Sequence, residues 1–428
     1  MTGGLRILFV SPLDRRTVPN TREQNMADEC RALGHETLSL TLAQNTARSP
    51  GAVLRDSLSW RVAHSDDGRV VRIDPPLNPC TGLETNLATG KGDGGAPSMR
   101  RLVVRWLSPL GVLRDLTIVP AFLVHALRRG RFDLCIAYGP WAACVGWWLR
   151  RLGRVGLLVY DDQDYEPAIL RNRTRQRWAV FLERAMMRRA DAVVSVGHRL
   201  AALRQAQTGR DVTVVPNGVP ARSLLPPRGV EPPPQPFTLV YVGNLVPWSG
   251  LDVMLDGLPA VLAEGLSLRV WIVGDGSPPY VQGLRDRVAA LGLGAVVEFV
   301  GRVPNERIGE WLGQADVGLA HFRDEPYRRY AFPLKVIEYM AAGLAVIGTL
   351  DTETEDILAR HGCGVAVACE PAAIAQAILR LANDDALLQR CRSQARHSAP
   401  AYLWSTLTAR ELAVAAAVQG RHPREQPV

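Results

Sequence analysis

Arg6–Leu42 of the chain reads RILFVSPLDRRTVPNTREQNMADECRALGHETLSLTL. Arg6–Val10 is a short apolar run that breaks at Ser11-Pro12, the pattern of a parallel strand buried on both faces and feeding a loop. A polar stretch, Asp14–Arg22, follows; Asn25–Leu33 then has helical spacing, and Gly34 stops it. Glu36–Leu42 is a second strand. Strand, loop, helix and strand in that order open a doubly wound α/β domain.

Working outward, Leu134–Tyr138, Val155–Tyr160 and Ala192–Val196 are further apolar strands, with helical patterns between them such as Trp178–Arg189. Residues 78–98 are rich in Gly, Pro, Thr and Asn without periodicity and read as a mobile surface loop. The proline-dense stretch Val219–Pro236, VPARSLLPPRGVEPPPQP, is the best boundary in the chain. After it the alternation restarts, with strands expected at Thr238–Val242, Leu268–Val273, Val296–Val300, Val317–Ala320, Ala345–Ile347 and Val365–Val367. Leu251, Met254, Leu255 and Leu258 mark one amphipathic helix; Ile308, Trp311 and Leu312 repeat the spacing. Pro371 opens another, with Ile374, Ile378 and Leu381 as its buried face. The expected organisation is therefore an N-terminal Rossmann-like domain over 1–218, a linker over 219–236, and a second Rossmann-like domain over 237–398. A last helix over 399–420 and a polar tail over 421–428 complete it. Ligands in such sheets bind at the carboxyl ends of the strands, so two facing domains predict a site in the cleft between them.

The 428 residues suit two large domains or three small ones, and 47% hydrophobic with 21% charged residues is ordinary for a globular enzyme. The net charge of +8 favours anionic partners: nucleic acid, phosphorylated ligands or an acidic membrane surface. A solvated arginine-rich face accounts for it equally well. Lys91 and Lys335 are the only lysines, which singles both out. Seven cysteines without a CxxC pair argue against a disulfide framework or a zinc site and for a reducing, cytoplasmic compartment. The opening residues do not read as a signal peptide, and no run is long enough for a membrane span.

Three clusters carry chemistry. Tyr241-Val242-Gly243-Asn244-Leu245 ends a strand at a glycine, a loop runs on to Ser249-Gly250, and a helix begins at Gly250-Leu251. Glycine admits a ligand to the backbone and a helix N-terminus offers N–H groups to an anion, but a tight strand–helix turn needs the same residues. Gly274-Asp275-Gly276 follows a second strand and is open to the same two readings. The third cluster is Phe332-Pro333-Leu334-Lys335-Val336-Ile337-Glu338-Tyr339. Leu334, Ile337 and Met340 are expected on one helical face, and Lys335, Glu338 and Tyr339 on another. A lysine in the first turn makes a phosphate seat, and a glutamate one turn on suits two ribose hydroxyls; a surface Lys–Glu pair has the same spacing.

These clusters, in this order, resemble family 4 of the retaining glycosyltransferases, which have the GT-B fold. The resemblance runs through RILFVSP, Leu33-Gly34-His35-Glu36, Arg189–Val194 (RADAVV) and Val214–Val219 (VVPNGV). It continues through YVGNLVPWSGLDVML, VWIVGDG, VEFVGRVP, ADVGLA and FPLKVIEYMAAGLAVI. It implies two facing Rossmann-like domains, a C-terminal helix crossing back to the first, and a nucleotide sugar on the second. On it, the donor site takes in Gly243, Asn244, Ser249, Gly274, Asp275, Gly276, Arg302, Val303, Tyr330, Phe332, Pro333, Leu334, Lys335 and Glu338. Glu338 would bind the ribose, and the backbone around Phe332–Lys335 would face the diphosphate. No cofactor and no metal is required, and the acceptor, a glycan, a lipid-linked saccharide or a small molecule, belongs to the first domain.

The chain departs from its relatives in several places. Asn244 stands where most have Arg, and Ser249 where they have Lys, the two cations that neutralise the leaving diphosphate. Lys335 is the best replacement, with Arg302, Arg323, Arg328 and Arg329 as others. The first Glu of the usual E-x7-E motif falls on Tyr330, and Glu325-Pro326-Tyr327 resembles that motif's displaced start. In the first domain Gln163 stands where the family often has His; a glutamine orients a hydroxyl but is no base near neutral pH. Asp161, Asp162, Asp164 and Glu166 surround it as acceptor ligands or as a charged loop capping a helix. Lys335, Glu338, Gln163 and Asp164 are thus the catalytic candidates, and Asn20, Arg22, Asp162, Gln163 and Asp164 the acceptor candidates. Arg22 meets an acceptor phosphate or is a surface arginine.

Basic and large apolar residues mix over Met99–Arg131 and again at Trp147, Trp148, Arg150, Arg151 and Arg154. They suit an anionic membrane surface or ordinary helices packed on the first sheet. Nucleic-acid binding rests on charge alone and lacks any aromatic–basic module, so no specific nucleic acid is expected. The substituted positions also admit a degenerate GT-B binding or scaffold protein.

Overall fold

The computed structural model describes residues 4–12, 21–42, 61–65, 67–74, 111–170, 172–226 and 236–421. Asn20, the 78–98 loop, Met99 and its basic neighbours up to 110, residues 227–235 of the proline-dense stretch, and the tail from 422 lie outside them. The chain divides into two compact units. Unit 1 takes Met1–Val196, Leu200–Val215 and Thr408–Val428, and unit 2 takes Gly197–Arg199 and Pro216–Leu407.

Unit 1 runs β1 (Arg6–Ser11), α1 (Arg22–Ala32), β2 (Glu36–Leu42), β3 (Arg61–His64), β4 (Val70–Asp74), α2 (Gly111–Leu127), β5 (Phe132–Tyr138) and α3 (Pro140–Arg151). It continues with β6 (Val155–Asp162), α4 (Glu166–Ile169), α5 (Arg173–Arg189), β7 (Ala192–Ser195), α6 (His198–Thr208) and β8 (Thr213–Val214). Among the described residues the sheet order is β3-β4-β2-β1-β5-β6-β7-β8, parallel except for the β3–β4 pair. β1 lies between β2 and β5, with Ile7 opposite Thr37 on one side and Leu134 on the other. Ile7, Leu8, Phe9 and Val10 have no exposure, which is why β1 is an unbroken apolar run instead of an alternating one. α1 starts at Arg22, three residues before its apolar spacing becomes visible, because the Thr21 hydroxyl caps it by accepting from Gln24 N at 3.2 Å.

Unit 2 runs β9 (Phe237–Val242), α7 (Leu251–Ala263), β10 (Leu268–Val273), α8 (Pro278–Ala290), β11 (Val297–Gly301), α9 (Ile308–Leu312) and β12 (Val317–Ala320). It continues with α10 (Leu334–Ala341), β13 (Ala345–Thr349), α11 (Glu353–His361), β14 (Gly364–Val367), α12 (Pro371–Asn383) and α13 (Asp385–Ser398). Its six strands are parallel in the order β11-β10-β9-β12-β13-β14. Leu251, Met254, Leu255 and Leu258 of α7 and Ile374, Ile378 and Leu381 of α12 are all buried in one core, as their spacing predicts. The last helix, α14 (Trp404–Arg421), begins after a 3-10 turn at Ala399–Tyr402. Its residues up to Leu407 count with unit 2 and those from Thr408 with unit 1.

The two faces of α10 are not simply one buried and one open. Leu334 is exposed, while Tyr339, expected beside Lys335 and Glu338, is wholly buried. Its ring lies where a Cβ on Gly318 would stand, so a glycine in β12 makes the room. The Tyr339 hydroxyl accepts from Val242 N at 3.0 Å and donates to Leu319 O at 3.3 Å. The first side chain of the helix stays outside, and an aromatic with two backbone partners goes in.

Candidate active site

The carboxyl ends of β9, β10 and β11 are stitched together by backbone. Gly243 N donates to Val273 O at 2.9 Å, Leu245 N to Asp275 O at 2.9 Å, and Gly274 N to Gly301 O at 2.8 Å. Gly243 and Gly274 have φ of 141° and 138°, and a Cβ on Gly274 would collide with the Gly243 carbonyl. The glycines at these strand ends are thus required first by close backbone approach. The result is a ledge of close-packed backbone, with Asn244 and Asp275 exposed on it and the Asp275 carboxylate accepting from Gly276 N at 2.7 Å.

α10 brings Lys335 onto this ledge. Its Nζ lies 3.0 Å from where a Cβ on Gly243 would stand and 3.7 Å from the centre of the buried Tyr241 ring. The Tyr241 hydroxyl donates to Asn244 O at 2.8 Å, so one side chain supports both the ammonium and the turn. Buried His321, at the end of β12, has its Nε2 3.2 Å from Gly250 O. Burial first and the Lys335 charge second push its pKa down to about 4, so it is neutral at physiological pH. Half-buried Glu338 follows one turn after Lys335. Burial lifts its carboxyl to about 7, against the opposite pull of Lys335.

The remaining donor candidates fall at different places. Ser249 is buried and its hydroxyl donates to Val246 O at 2.7 Å, which makes it a part of the turn's own hydrogen bonding. Arg302 is exposed beyond β11, with Val303 half-buried beside it against the core. Half-buried Tyr330 donates its backbone N–H to Tyr327 O at 3.2 Å, and Glu325 is exposed. Phe332 packs against the core and buried Pro333 caps α10. Arg323 is held by Asp252 and by Pro247 O at 3.1 Å, and Arg329 lies 3.6 Å from Asp324.

In unit 1 the acidic group at the end of β6 is divided by burial. Arg22 is not a surface arginine: its side chain is 2% exposed and pairs with Asp161 at 2.6 Å and Glu411 at 2.9 Å. Burial opposes its charge, but Asp161 and Glu411 outweigh that and hold its pKa above the ordinary value. Burial also raises both carboxyls, which Arg22 counteracts. Asp162 is likewise taken up: Arg204, wholly buried, donates to both its oxygens at 2.7 and 3.0 Å and to Glu183 at 2.7 Å. Half-buried Gln163 and exposed Asp164 follow the carboxyl end of β6, where the Asp164 carbonyl accepts from Arg204 at 3.4 Å. Sequence reading missed Arg204, Glu183 and Glu411, since no local pattern marks charges that meet only in the fold. Among the described residues no group of three or more His, Cys, Asp or Glu is arranged to hold a metal ion.

Comparison with known proteins agrees with this architecture. Residues 19–218 match the family model "Glycosyl transferase 4-like domain" and residues 236–384 match "Glycosyl transferases group 1". The chain is 26% identical over 225 residues to a phosphatidyl-myo-inositol mannosyltransferase of Mycobacterium tuberculosis, covering 51% of this chain and 57% of that protein. It is 29% identical over 242 residues to a D-inositol 3-phosphate glycosyltransferase of Streptomyces avermitilis, covering 54% and 48%. The chain thus spans about half the length of the curated relatives it matches. Sucrose-phosphate synthase from Thermosynechococcus elongatus shares the fold with a TM-score of 0.67 at 17% identity, over 97% of this chain and 100% of that one. So does Anabaena HepE in complex with UDP and glucose, with a TM-score of 0.65 at 18% identity, over 96% and 100%. Two family models in tandem over most of the chain, on two parallel-sheet units, identify it as a member of the family 4 glycosyltransferases with the GT-B fold.

Proposed function

We propose that the chain transfers a sugar from a UDP- or GDP-linked donor to an acceptor hydroxyl, with retention at the anomeric carbon. The observation that carries this is the pairing of Lys335 and Glu338 on the first turns of α10, against the Gly243 ledge. A cation beside a helix N-terminus and bare backbone suits a diphosphate, and a carboxylate one turn on suits a ribose diol. As the bond from the anomeric carbon to the diphosphate breaks, Lys335 and the α10 N–H groups offset the charge that develops on the leaving oxygen. The acceptor oxygen takes its place on the same face, as the family resemblance implies. Gln163 and Asp164, just after the carboxyl end of β6, are the acceptor-side candidates.

The acceptor is an inositol-type or lipid-linked hydroxyl, a reading supported by the names of the curated relatives. No helix among the described residues is long and apolar enough to cross a membrane. α5 carries six arginines and one acid, Glu183, which is buried against Arg204. Its outer face exposes Trp178 and, at 60%, Phe181, with their rings 5.7 Å apart. Exposed aromatics on an arginine-rich helix suit an anionic lipid surface, where a lipid-linked acceptor would be met. Of the residues named for this role from sequence, Arg150 is taken by Asp191, and Trp147 lies under Arg151 and Arg189.

The test is a thermal-shift panel of UDP, GDP and their common sugars on wild type and Glu338→Ala. A nucleotide at about 100 times its Kd stabilises by roughly 2.7 kcal/mol, and the shift is expected from one base only and to be lost in the variant. A folded wild type that responds to no nucleotide would instead support the degenerate binding protein.

A further inference from the structure

Arg22 and Arg204 are ion-paired in the interior, and Arg328 is stacked, its guanidinium carbon 3.4 Å from the centre of the Trp248 ring. Arg210 is held by backbone instead. Its guanidinium donates to Arg188 O at 3.4 Å, Ala190 O at 3.0 Å and Asp191 O at 3.1 Å, the carbonyls where α5 ends and β7 begins. Carbonyls orient a guanidinium without neutralising it, and of its five N–H donors these bonds use three. The next residue, Asp211, is exposed, and its carboxylate has no hydrogen bond or ion pair among the described residues. Asp191, close by, is already occupied: it accepts from Leu158 N at 2.8 Å and pairs with Arg150.

Arg210 and Asp211 line a cavity of about 580 Å³ that lies wholly in unit 1. One wall is the start of β7 and the Gly209–Thr213 stretch leading into β8; the other is Val414, Ala417 and Val418 of α14, which share one helical face. β6, β7 and β8 are parallel, so this is the amino end of the strands, whereas Gln163 and Asp164 follow the carboxyl end of β6. The cavity is thus separate from the candidate active site, and its size is that of a small-molecule site. We propose that it binds a zwitterionic α-amino acid with an aliphatic side chain. A ligand with only an acid would face the unpaired Asp211, and one with only an amine would face the uncompensated Arg210. An α-amino acid carries both charges on neighbouring atoms, as the cavity carries both on neighbouring residues. Its carboxylate takes the two remaining Arg210 N–H groups, its ammonium donates to Asp211, and its side chain lies on the aliphatic stripe of α14.

Calorimetric titration of the full chain with L-leucine, with isocaproate, which lacks the ammonium, and with isoamylamine, which lacks the carboxylate, tests this. Leucine is expected to bind at least about tenfold tighter than either analogue. D211N should weaken leucine by about tenfold to a hundredfold, the range for losing a hydrogen bond to a charged group, and should leave isocaproate no weaker. A417W, which fills the cavity from α14, should abolish leucine binding. Asp211 and Ala417 are both exposed, so both variants are expected to fold, which a melting curve checks; should A417W not fold, D211N and the two analogues carry the test. A wild type that does not bind leucine, isocaproate bound as tightly as leucine, or a folded D211N or A417W that binds leucine like wild type would overturn the proposal.

Discussion

Glu338→Gln is expected to stabilise the nucleotide-free protein above neutral pH while weakening its hold on nucleotide. Burial lifts the Glu338 carboxyl from an ordinary 4.5 to about 7, even with Lys335 one turn away. Such a group binds its proton more tightly in the folded chain than in the unfolded one. Stability is therefore lost as pH rises from the unfolded value through the folded one, and the loss is complete above both. At roughly 1.4 kcal/mol per pKa unit, holding the charged carboxylate in place costs about 3 kcal/mol, and its remaining contact with solvent trims this to about 2. A neutral glutamine escapes that cost, so the variant should melt roughly 4–8 °C higher in alkaline buffer. Near pH 5, where the folded carboxyl is protonated and the loss has only begun, the difference should fall to under about 1 kcal/mol. Differential scanning calorimetry at about pH 5 and about pH 8.5, with and without the nucleotide that wild type prefers, reads both effects. The nucleotide-induced shift should shrink in the variant, because an amide presents one acceptor where the carboxylate presents two. A variant that melts no higher than wild type in alkali would refute the burial argument. One that keeps the full nucleotide shift would refute the ribose role. The combination expected is a site that gives up stability for binding.

Two further outcomes test unit 1. Glu411→Ala leaves Arg22 and Asp161 buried without their third partner and should destabilise by about 3–5 kcal/mol in urea unfolding, whereas a change under 1 would mean that the triad contributes little. Replacing Trp178 and Phe181 together by serine should abolish sedimentation with vesicles containing anionic lipid, leave the melting temperature within about 2 °C of wild type, and so separate lipid docking from folding; unchanged sedimentation would remove α5 from that role.

How much of this could be read from the chain differs between its parts. β1 and β12 were legible because a parallel strand covered on both faces must be apolar along its length, and β9 and β10 depart from that only at Thr238 and Arg269. The faces of α7 and α12 were legible because each helix packs on one side only. Lys335 and Glu338 stood out through their spacing and the scarcity of lysine. The glycines were found by pattern, but their primary reason, the passage of one strand-end backbone directly beside the next, is a distance between segments some 30 residues apart and has no local signature. Tyr339 is buried and Leu334 exposed, which spacing alone does not give, because periodicity fixes an angle around a helix while the neighbours on each side decide what that angle faces.

Charges show the division most sharply. Composition shows that the chain is rich in arginine and poor in lysine. Whether a given arginine is solvated, stacked or buried depends on partners as distant as the 389 residues between Arg22 and Glu411. Electrostatic and stacking energies depend on separation and burial in space, and sequence distance carries almost no information about either. The succession of strands and helices, the family and the spacing of Lys335 and Glu338 follow from local pattern; the fates of Arg22, Arg204 and Arg328 required the chain to be folded.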